Sequence, residues 1–418
     1  MEARTQSVKN TWVWLVAMLV FFINSFALPQ GLTFTLLLTP VWLYLLRKHN
    51  RLDTLPMLMM PLVIYAFVHI MNGVSMGYYI VSLLMLVSVI CFALVAIIYF
   101  NDPEVNWDGI FRSIVIVNFV LAIASIPLLY IPFLKPLVWY MVPISKGIEN
   151  IPRLKLFTSE ASHYSFWLAP ISIYFFSRMI FFKTKNNLPT LLMLCIPLIL
   201  SFSMGVLLCL IVTGIMVVVL YANRALASKR RRQILTASVL LTGIALLALF
   251  VVFPHNPIYL RIHNIFSGDD TSARGRTYEA FILANKIIAQ KSVLWGIGPG
   301  QLKIDGRSII IQYYSYLHIP EVVRIPNACA ETIVYFGYIG LAIRLLLQAV
   351  LFFATKVYNN PYRLWLFLFM FIYQFTGSYI TNVAEYMVWI MAFSPMFPEY
   401  VKVREASITN PDMLKPAI

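Results

Sequence analysis

The sequence predicts an all-α polytopic membrane protein, and three observations carry that prediction. Of 418 residues, 60% are hydrophobic and 12% are charged, whereas a soluble domain is nearer half apolar and a quarter charged. Apolar runs such as 78–100 are long enough to cross about 30 Å of hydrocarbon as helix. The charges gather in loops between such runs. The formal net charge is +15. In a membrane chain such an excess points to cytoplasmic anchoring, anionic lipid or an anionic substrate before nucleic acid.

Hydropathy over windows of about 19 residues predicts roughly twelve spans. The first six are 12–28, 32–46, 55–71, 78–100, 110–131 and 164–182. The rest are 188–203, 205–222, 234–253, 331–355, 364–378 and 383–401. The seventh and eighth share one apolar run that breaks at Ser201-Phe202-Ser203-Met204-Gly205. The first apolar segment lacks a small-residue cleavage site, so a removable signal peptide is not expected. The four cysteines, Cys91, Cys195, Cys209 and Cys329, lack metal-ligand spacing.

Three short basic loops orient this arrangement: Arg47 to Arg51, Lys183 to Lys185, and Arg224 to Arg232. With twelve spans and a cytoplasmic N-terminus all three lie inside, as does the tail with Lys402 and Arg404. The acidic loop at Asp102 and Glu104 also falls inside, but acids contribute little to orientation. The chain then divides into an N-terminal bundle (1–253, about nine spans, with an outer loop at 132–162), a large outer loop (254–330), and C-terminal spans with a cytoplasmic tail (331–418).

The 254–330 loop is too long to be featureless. Tyr278, Phe281, Ile282, Ile287 and Ile288 recur near helical spacing, which predicts an amphipathic helix over 277–290 lying on the membrane surface. Asp269, Asp270, Thr271 and Ser272 precede it and are capping types. Gly296, Gly298, Pro299 and Gly300 read as a turn that permits close approach of a ligand. A basic outer surface attracts a phosphorylated lipid. The plainer alternative is a solvated loop that meets anionic headgroups.

At these residues the chain resembles the bacterial O-antigen polymerase and O-antigen ligase superfamily. Arg276 followed by Trp295-Gly-Ile-Gly-Pro-Gly300 is similar to the family's outer-loop segment of an Arg, a helix and a Gly-Pro-Gly turn. Pro326-Asn327, then nine residues, then Gly337-Tyr-Ile-Gly340, resembles the ligase motif His-Asn…Gly-x-x-Gly. Arg153 through Glu160-Ala-Ser162 resembles an Arg…Glu-Pro-Ser segment of polysaccharide polymerases. Pro326 stands where the ligase has its catalytic His, which tilts the resemblance toward a polymerase. Met204 stands where the family often has an Arg in the middle span.

The resemblance implies a metal-independent, GT-C-like glycosyltransferase of the bacterial inner membrane, with no cofactor and a periplasmic active site. Its donor and acceptor would be polyprenyl-diphosphate-linked glycans, and a chain-length regulator is a further partner it implies. A glycan ligase is the alternative enzyme. A lipid-linked glycan flippase is the alternative from another class, though transporters tend toward paired, inverted halves and this polar insertion is single.

Transfer from a lipid diphosphate needs positive charge where the leaving group develops its own. Arginine meets that need with a planar, two-pronged donor, so Arg276, Arg153 and Arg274 are the candidates. Arg274 and Arg153 could equally anchor loops to headgroups. The acceptor hydroxyl needs a base, and Glu160 is the first candidate, three residues before His163 and on one face with it if helical. Glu160 could instead pair with Arg153. His163, His318, Arg324, Asn327, Gly298 and Gly300 complete the expected substrate-binding set, and Glu331 lies at the mouth of the tenth span. No His or carboxylate cluster has the spacing of a divalent metal site. Arg344, near mid-depth of its span, is expected to pair with Glu385. His69 is expected to be a hydrogen-bonded interior residue. The aromatics Trp139-Tyr140 and Tyr313-Tyr314-Ser315-Tyr316 fit interfacial belts or sugar-stacking surfaces.

This topology predicts that a cysteine placed at Ser308 reacts with an impermeant thiol reagent in intact spheroplasts. Reaction only after lysis would reverse the sidedness.

Overall fold

The computed structural model describes residues 2–26, 28, 32–142, 151–182, 188–222, 256–315, 323–377 and 380–397, and positions 233, 236, 240, 243, 244, 247 and 251. The expected ninth span, 234–253, therefore lies mostly outside the described residues.

In chain order the first helices are α1 (Glu2–Met18, continued by a π turn over Leu19–Ile23), α2 (Phe34–Leu37), α3 (Thr39–Lys48), α4 (Thr54–Met71) and α5 (Met76–Phe100). Next come α6 (Trp107–Ser125), α7 (Lys135–Val138), the paired strands β1 (Trp139–Tyr140) and β2 (Arg153–Leu154), α8 (Ala161–Phe181), α9 (Leu188–Ser201) and α10 (Met204–Leu220). After the undescribed stretch come α11 (Pro257–Ser267), α12 (Thr271–Arg276), α13 (Tyr278–Ile288) and α14 (Arg307–Tyr314). The last are α15 (Ala328–Ala354), α16 (Pro361–Tyr373) and α17 (Val383–Phe393).

Asparagine starts many of these helices. Asn106, Asn256, Asn327, Asn360 and Asn382 each accept a first-turn N–H through the side chain. Pro257 and Pro361 follow two of them, where a missing N–H is harmless.

Four described helical segments are long and apolar enough to cross a membrane: α4, α5, Trp107–Tyr130 and α15. This is an all-α membrane protein. The helices α9, α10, α16 and α17 are apolar but shorter than the roughly 20 residues a crossing needs. The run at 32–46, expected as one span, forms two short helices, because Pro40 at the start of α3 cannot donate an N–H to α2. The expected break at 201–205 is present, with Phe202 in the left-handed region between α9 and α10.

The chain forms two compact units, Met1–Gln30 with Asn106–Arg274, and Gly31–Val105 with Gly275–Ile418. In the first, α8 is buried along almost all of its length and packs on α9 and α10, while α9 packs on α6. Tyr164 donates to Asn118 Oδ1 (2.8 Å) and Phe21 meets Trp167 edge-on. Nearer the far end of α8, Tyr174 and Arg178 reach Asp108, which also holds Arg112 at 2.9 Å.

In the second unit α5 is the common support, with α2, α3 and α17 packed on it and α16 packed on α17. The expected amphipathic helix is α13, but its buried face differs from the expected one. Ala280, Leu283, Ala284, Ile287 and Ile288 are buried, whereas Tyr278 and Ile282 are exposed. The face is chosen by α15 and α14, on which α13 packs.

Helix α15 is broken at Gly337 (φ 66°, ψ −169°). The break frees backbone groups that the hydrocarbon core could not satisfy. The preceding loop satisfies them: Ile297 N donates to Val334 O (2.8 Å) and Gly298 N to Tyr335 O (3.1 Å). In return Tyr338 N donates to Val293 O and Ile339 N to Leu294 O, both at 3.2 Å. A Cβ at Gly337 would collide with the Leu294 carbonyl. Before the break α15 is buried. Beyond it Leu346, Leu347, Val350 and Phe353 are exposed, as suits a lipid-facing surface.

Deeper along α15, Arg344 pairs with Glu385 as expected. Its Nε donates to Gln374 Oε1 (2.9 Å), and Gln374 exchanges hydrogen bonds with Gln348. Glu385→Gln leaves a buried guanidinium without its counter-charge, at an expected cost of about 3–5 kcal/mol. Replacing Arg344 and Glu385 together by methionine should recover most of that loss. Thermal melts of the detergent-solubilised variants measure both, and equal stability of Glu385→Gln and the parent would show that the pair is not structural.

Candidate functional site

The expected site residues fall into two groups, one on each unit. In the first unit, β1 and β2 pair antiparallel, with Tyr140 opposite Arg153. Trp139 fixes this hairpin through Nε1, which donates to Ser125 O (2.9 Å). The Arg153 guanidinium lies over the Tyr140 ring at 4.9 Å, and Nη2 donates to Val142 O (3.2 Å). This cation–π contact leaves a flat, half-buried Arg-Tyr surface. Burial alone holds the neighbouring Lys155 ammonium below the usual lysine pKa.

Glu160 is the residue before α8 and has an extended backbone (φ −150°, ψ 159°). The premise that Glu160 and His163 share a helical face is therefore corrected: the helix begins at Ala161, after Glu160. Ser162 Oγ donates to Glu160 Oε1 (2.8 Å). His163 lies beside Ser159 Oγ (3.5 Å) and the Trp167 ring.

Arg274 closes this unit's part of the polar segment. Its Nη1 donates to Gly268 O (3.1 Å), back onto the turn between α11 and α12. Asp270 Oδ1 accepts from Ala273 N (2.8 Å) and so caps the short helix α12, not the expected 277–290 helix, while Oδ2 faces Arg261 at 3.4 Å. Asp269 accepts from Ser267 Oγ (2.7 Å). Among the described residues no three His, Cys, Asp or Glu side chains come together as a metal-binding group.

In the second unit, Arg276 is the last residue of α12, two positions before α13, and is half-buried. Its carbonyl accepts from Asn327 Nδ2 (2.8 Å). The same nitrogen donates to Phe375 O (2.6 Å), and Asn327 Oδ1 accepts from Ala330 N (2.9 Å). Asn327 is fully buried, so its amide is committed to the protein. Arg324 is exposed, and His318 lies outside the described residues. Glu331 is turned inward, where Oε2 accepts from Ile380 N (2.8 Å).

Gly298 and Gly300 are buried. A Cβ on Gly298 would meet the Tyr79 ring at 3.0 Å and His69 at 3.3 Å, and one on Gly300 would strike the Tyr78 carbonyl. The close approach at this turn is thus made by α4 and α5 of the same chain. His69 reads the turn directly. Its Nε2 lies 2.8 Å from Trp295 O, and a carbonyl only accepts, so Nε2 carries the proton and Nδ1 accepts from Tyr79 OH (3.1 Å). Tyr65 and Phe336 close the aromatic cluster around His69 and Trp295.

Two further clamps were not expected from the sequence. Gln301 Oε1 accepts from Ser75 N (2.8 Å) while Nε2 donates to Ser75 O (3.1 Å). Lys291 Nζ donates to Gly73 O (2.6 Å) and pairs with Asp305 (2.8 Å). The segment 291–306 is thereby fastened to the α4–α5 turn. A Gln and a Lys in a polar stretch give no sequence signal of such a role.

No protein-family model matches the chain, and no curated protein matches it. Fold and geometry define the class: an all-α membrane protein whose second unit carries an ordered polar platform at one end of its helices.

Gly298→Ala is expected to destabilise the protein by about 1–3 kcal/mol, because its φ of +95° disfavours a side chain and the Cβ crowds Tyr79. A detergent thermal melt reads the loss. An unchanged melt would mean that the turn is not held against α4 and α5.

Proposed function

We propose that the protein is a metal-independent glycosyltransferase that polymerises polyprenyl-diphosphate-linked oligosaccharide repeat units into a surface polysaccharide of O-antigen or capsule type. The reaction takes place at the periplasmic face of a bacterial inner membrane, in a GT-C-like chain of about twelve spans with both termini cytoplasmic. The observation that carries this reading is the ordered, basic platform. Lys286, Lys303, Arg307 and Arg324 are exposed on the second unit, whereas the described acidic residues of the 275–330 segment, Glu279 and Asp305, are respectively buried and paired. The platform docks on the α4–α5 turn, the end that the alternation of basic loops assigns to the outside. An ordered cationic surface beside lipid-exposed helices suits a ligand with a diphosphate and a lipid tail.

In this reaction the acceptor hydroxyl attacks the anomeric carbon of the donor sugar. A new glycosidic C–O bond forms, and the bond to the diphosphate breaks, with its electron pair leaving on the phosphate oxygen. Arg276 stabilises that charge with paired N–H donors. Glu160 is the proposed acceptor of the hydroxyl proton. No cofactor is required.

Arg276→Ala is expected to slow polymerisation roughly a hundred- to a thousandfold, about 3–4 kcal/mol. Arg276→Lys should also fail, because an ammonium keeps the charge and loses the fork. The glycan ladder of a strain carrying each variant at matched protein level is the measurement. A full-length ladder with Arg276→Ala would remove Arg276 from the mechanism.

A further inference from the structure

We infer that Asn327 is a positioning residue for Arg276: through the Arg276 carbonyl it fixes the point from which the guanidinium reaches a diphosphate. The inference rests on the diphosphate role given to Arg276 above. Its own basis is the geometry around Asn327, where three chain segments meet at one side chain. Nδ2 donates to Arg276 O at 2.8 Å and to Phe375 O at 2.6 Å, and Oδ1 accepts from Ala330 N at 2.9 Å. An amide is the side chain that supplies two donors and an acceptor in one plane. Full burial excludes water as a substitute partner.

The surroundings narrow the role further. The first N–H groups of α15 are already occupied, Ala328 N by Gly377 O (3.2 Å) and Cys329 N by Gln374 O (3.2 Å). The start of α15 therefore offers no donors of its own to an anion, and Asn327 cannot act by presenting a helix terminus to phosphate. What remains is the α12–α13 junction. Thr277 there has φ −107° and ψ −114°, outside helical geometry, so the chain direction at Arg276 is not set by a continuous helix. The Asn327 hydrogen bond sets it, and the anchor at Phe375 O ties that bond to the end of α16.

A cap function and a positioning function are separable at this side chain. Asn327→Ser keeps an oxygen for Ala330 N and removes the amide NH2 that serves both carbonyls. Asn327→Asp keeps the size and the cap oxygen and serves if the serine variant does not accumulate. The test is a double-mutant cycle on the affinity of the purified, full-length, detergent-solubilised protein for inorganic diphosphate. Asn327→Ser should weaken binding about tenfold in the parent, short of the roughly hundredfold that a 1 Å misplacement of a reacting group costs. In the Arg276→Ala background the same change should have no further effect, because it acts only through Arg276. Equal weakening in both backgrounds would make Asn327 merely structural and overturn the inference. So would unchanged affinity of Asn327→Ser, or absence of diphosphate binding by the parent. A cycle that closes as expected, beside a normal glycan ladder in Arg276→Ala, would keep the positioning role and remove Arg276 from the polymerisation step.

Discussion

A backbone carbonyl or N–H inside a membrane must find a partner within the protein, and the break of α15 at Gly337 makes that demand acute. Four backbone hydrogen bonds between 293–298 and 334–339 meet it. The polar segment is therefore part of the helix it precedes. Remove the loop and α15 would expose unpaired groups to hydrocarbon, at several kcal/mol each. The same constraint explains the glycines. The loop must lie against the helix backbone, and a Cβ at Gly337 would push it away.

Once the loop is stitched to α15, its other contacts fall into place. His69 and Tyr79 meet the turn from α4 and α5, and Gln301 and Lys291 hold it to the residues between those helices. The hydrophobic side of α13 then closes over the loop, in a core that includes Ile287, Ile297, Leu302 and Ile333. The result is a rigid surface carrying cations, where a mobile basic loop would have to be ordered at the moment of binding.

The second organising device is the buried polar group with every partner supplied. Arg344 has Glu385 and Gln374, and Asn327 has three backbone groups. Both sites join α15 to the C-terminal end of α16, and Arg344 reaches α17 as well, so the helix that carries the break is held on two sides. In the first unit the Arg153-Tyr140 pair and the Glu160-Ser162 contact fix side chains that the sequence marked as chemical. Their local anchoring differs from that of Arg276: a stacked ring and a short hairpin in one case, a buried amide in the other.

Much of this was legible in the sequence, because it depends on near neighbours. Composition and apolar runs gave the class, the break at 201–205, and the existence of a helix close to 277–290. Capping types marked Asp270, and the cost of a lone charge in hydrocarbon marked Arg344 with Glu385. Other features were decided only in three dimensions. Helical spacing could not choose which face of α13 is buried, since α14 and α15 supply that face. The Gly-Pro-Gly turn read as an opening for ligand, but Trp295 meets His69 at a sequence separation of 226 residues. Asn327 read as a ligand contact, yet its amide is consumed by Arg276 and Phe375, 51 and 48 residues away. Periodicity reports which residues share a face three or four positions apart. It holds no information on what that face meets, and in this protein the meeting decides whether a polar side chain is spent on the fold or left for chemistry.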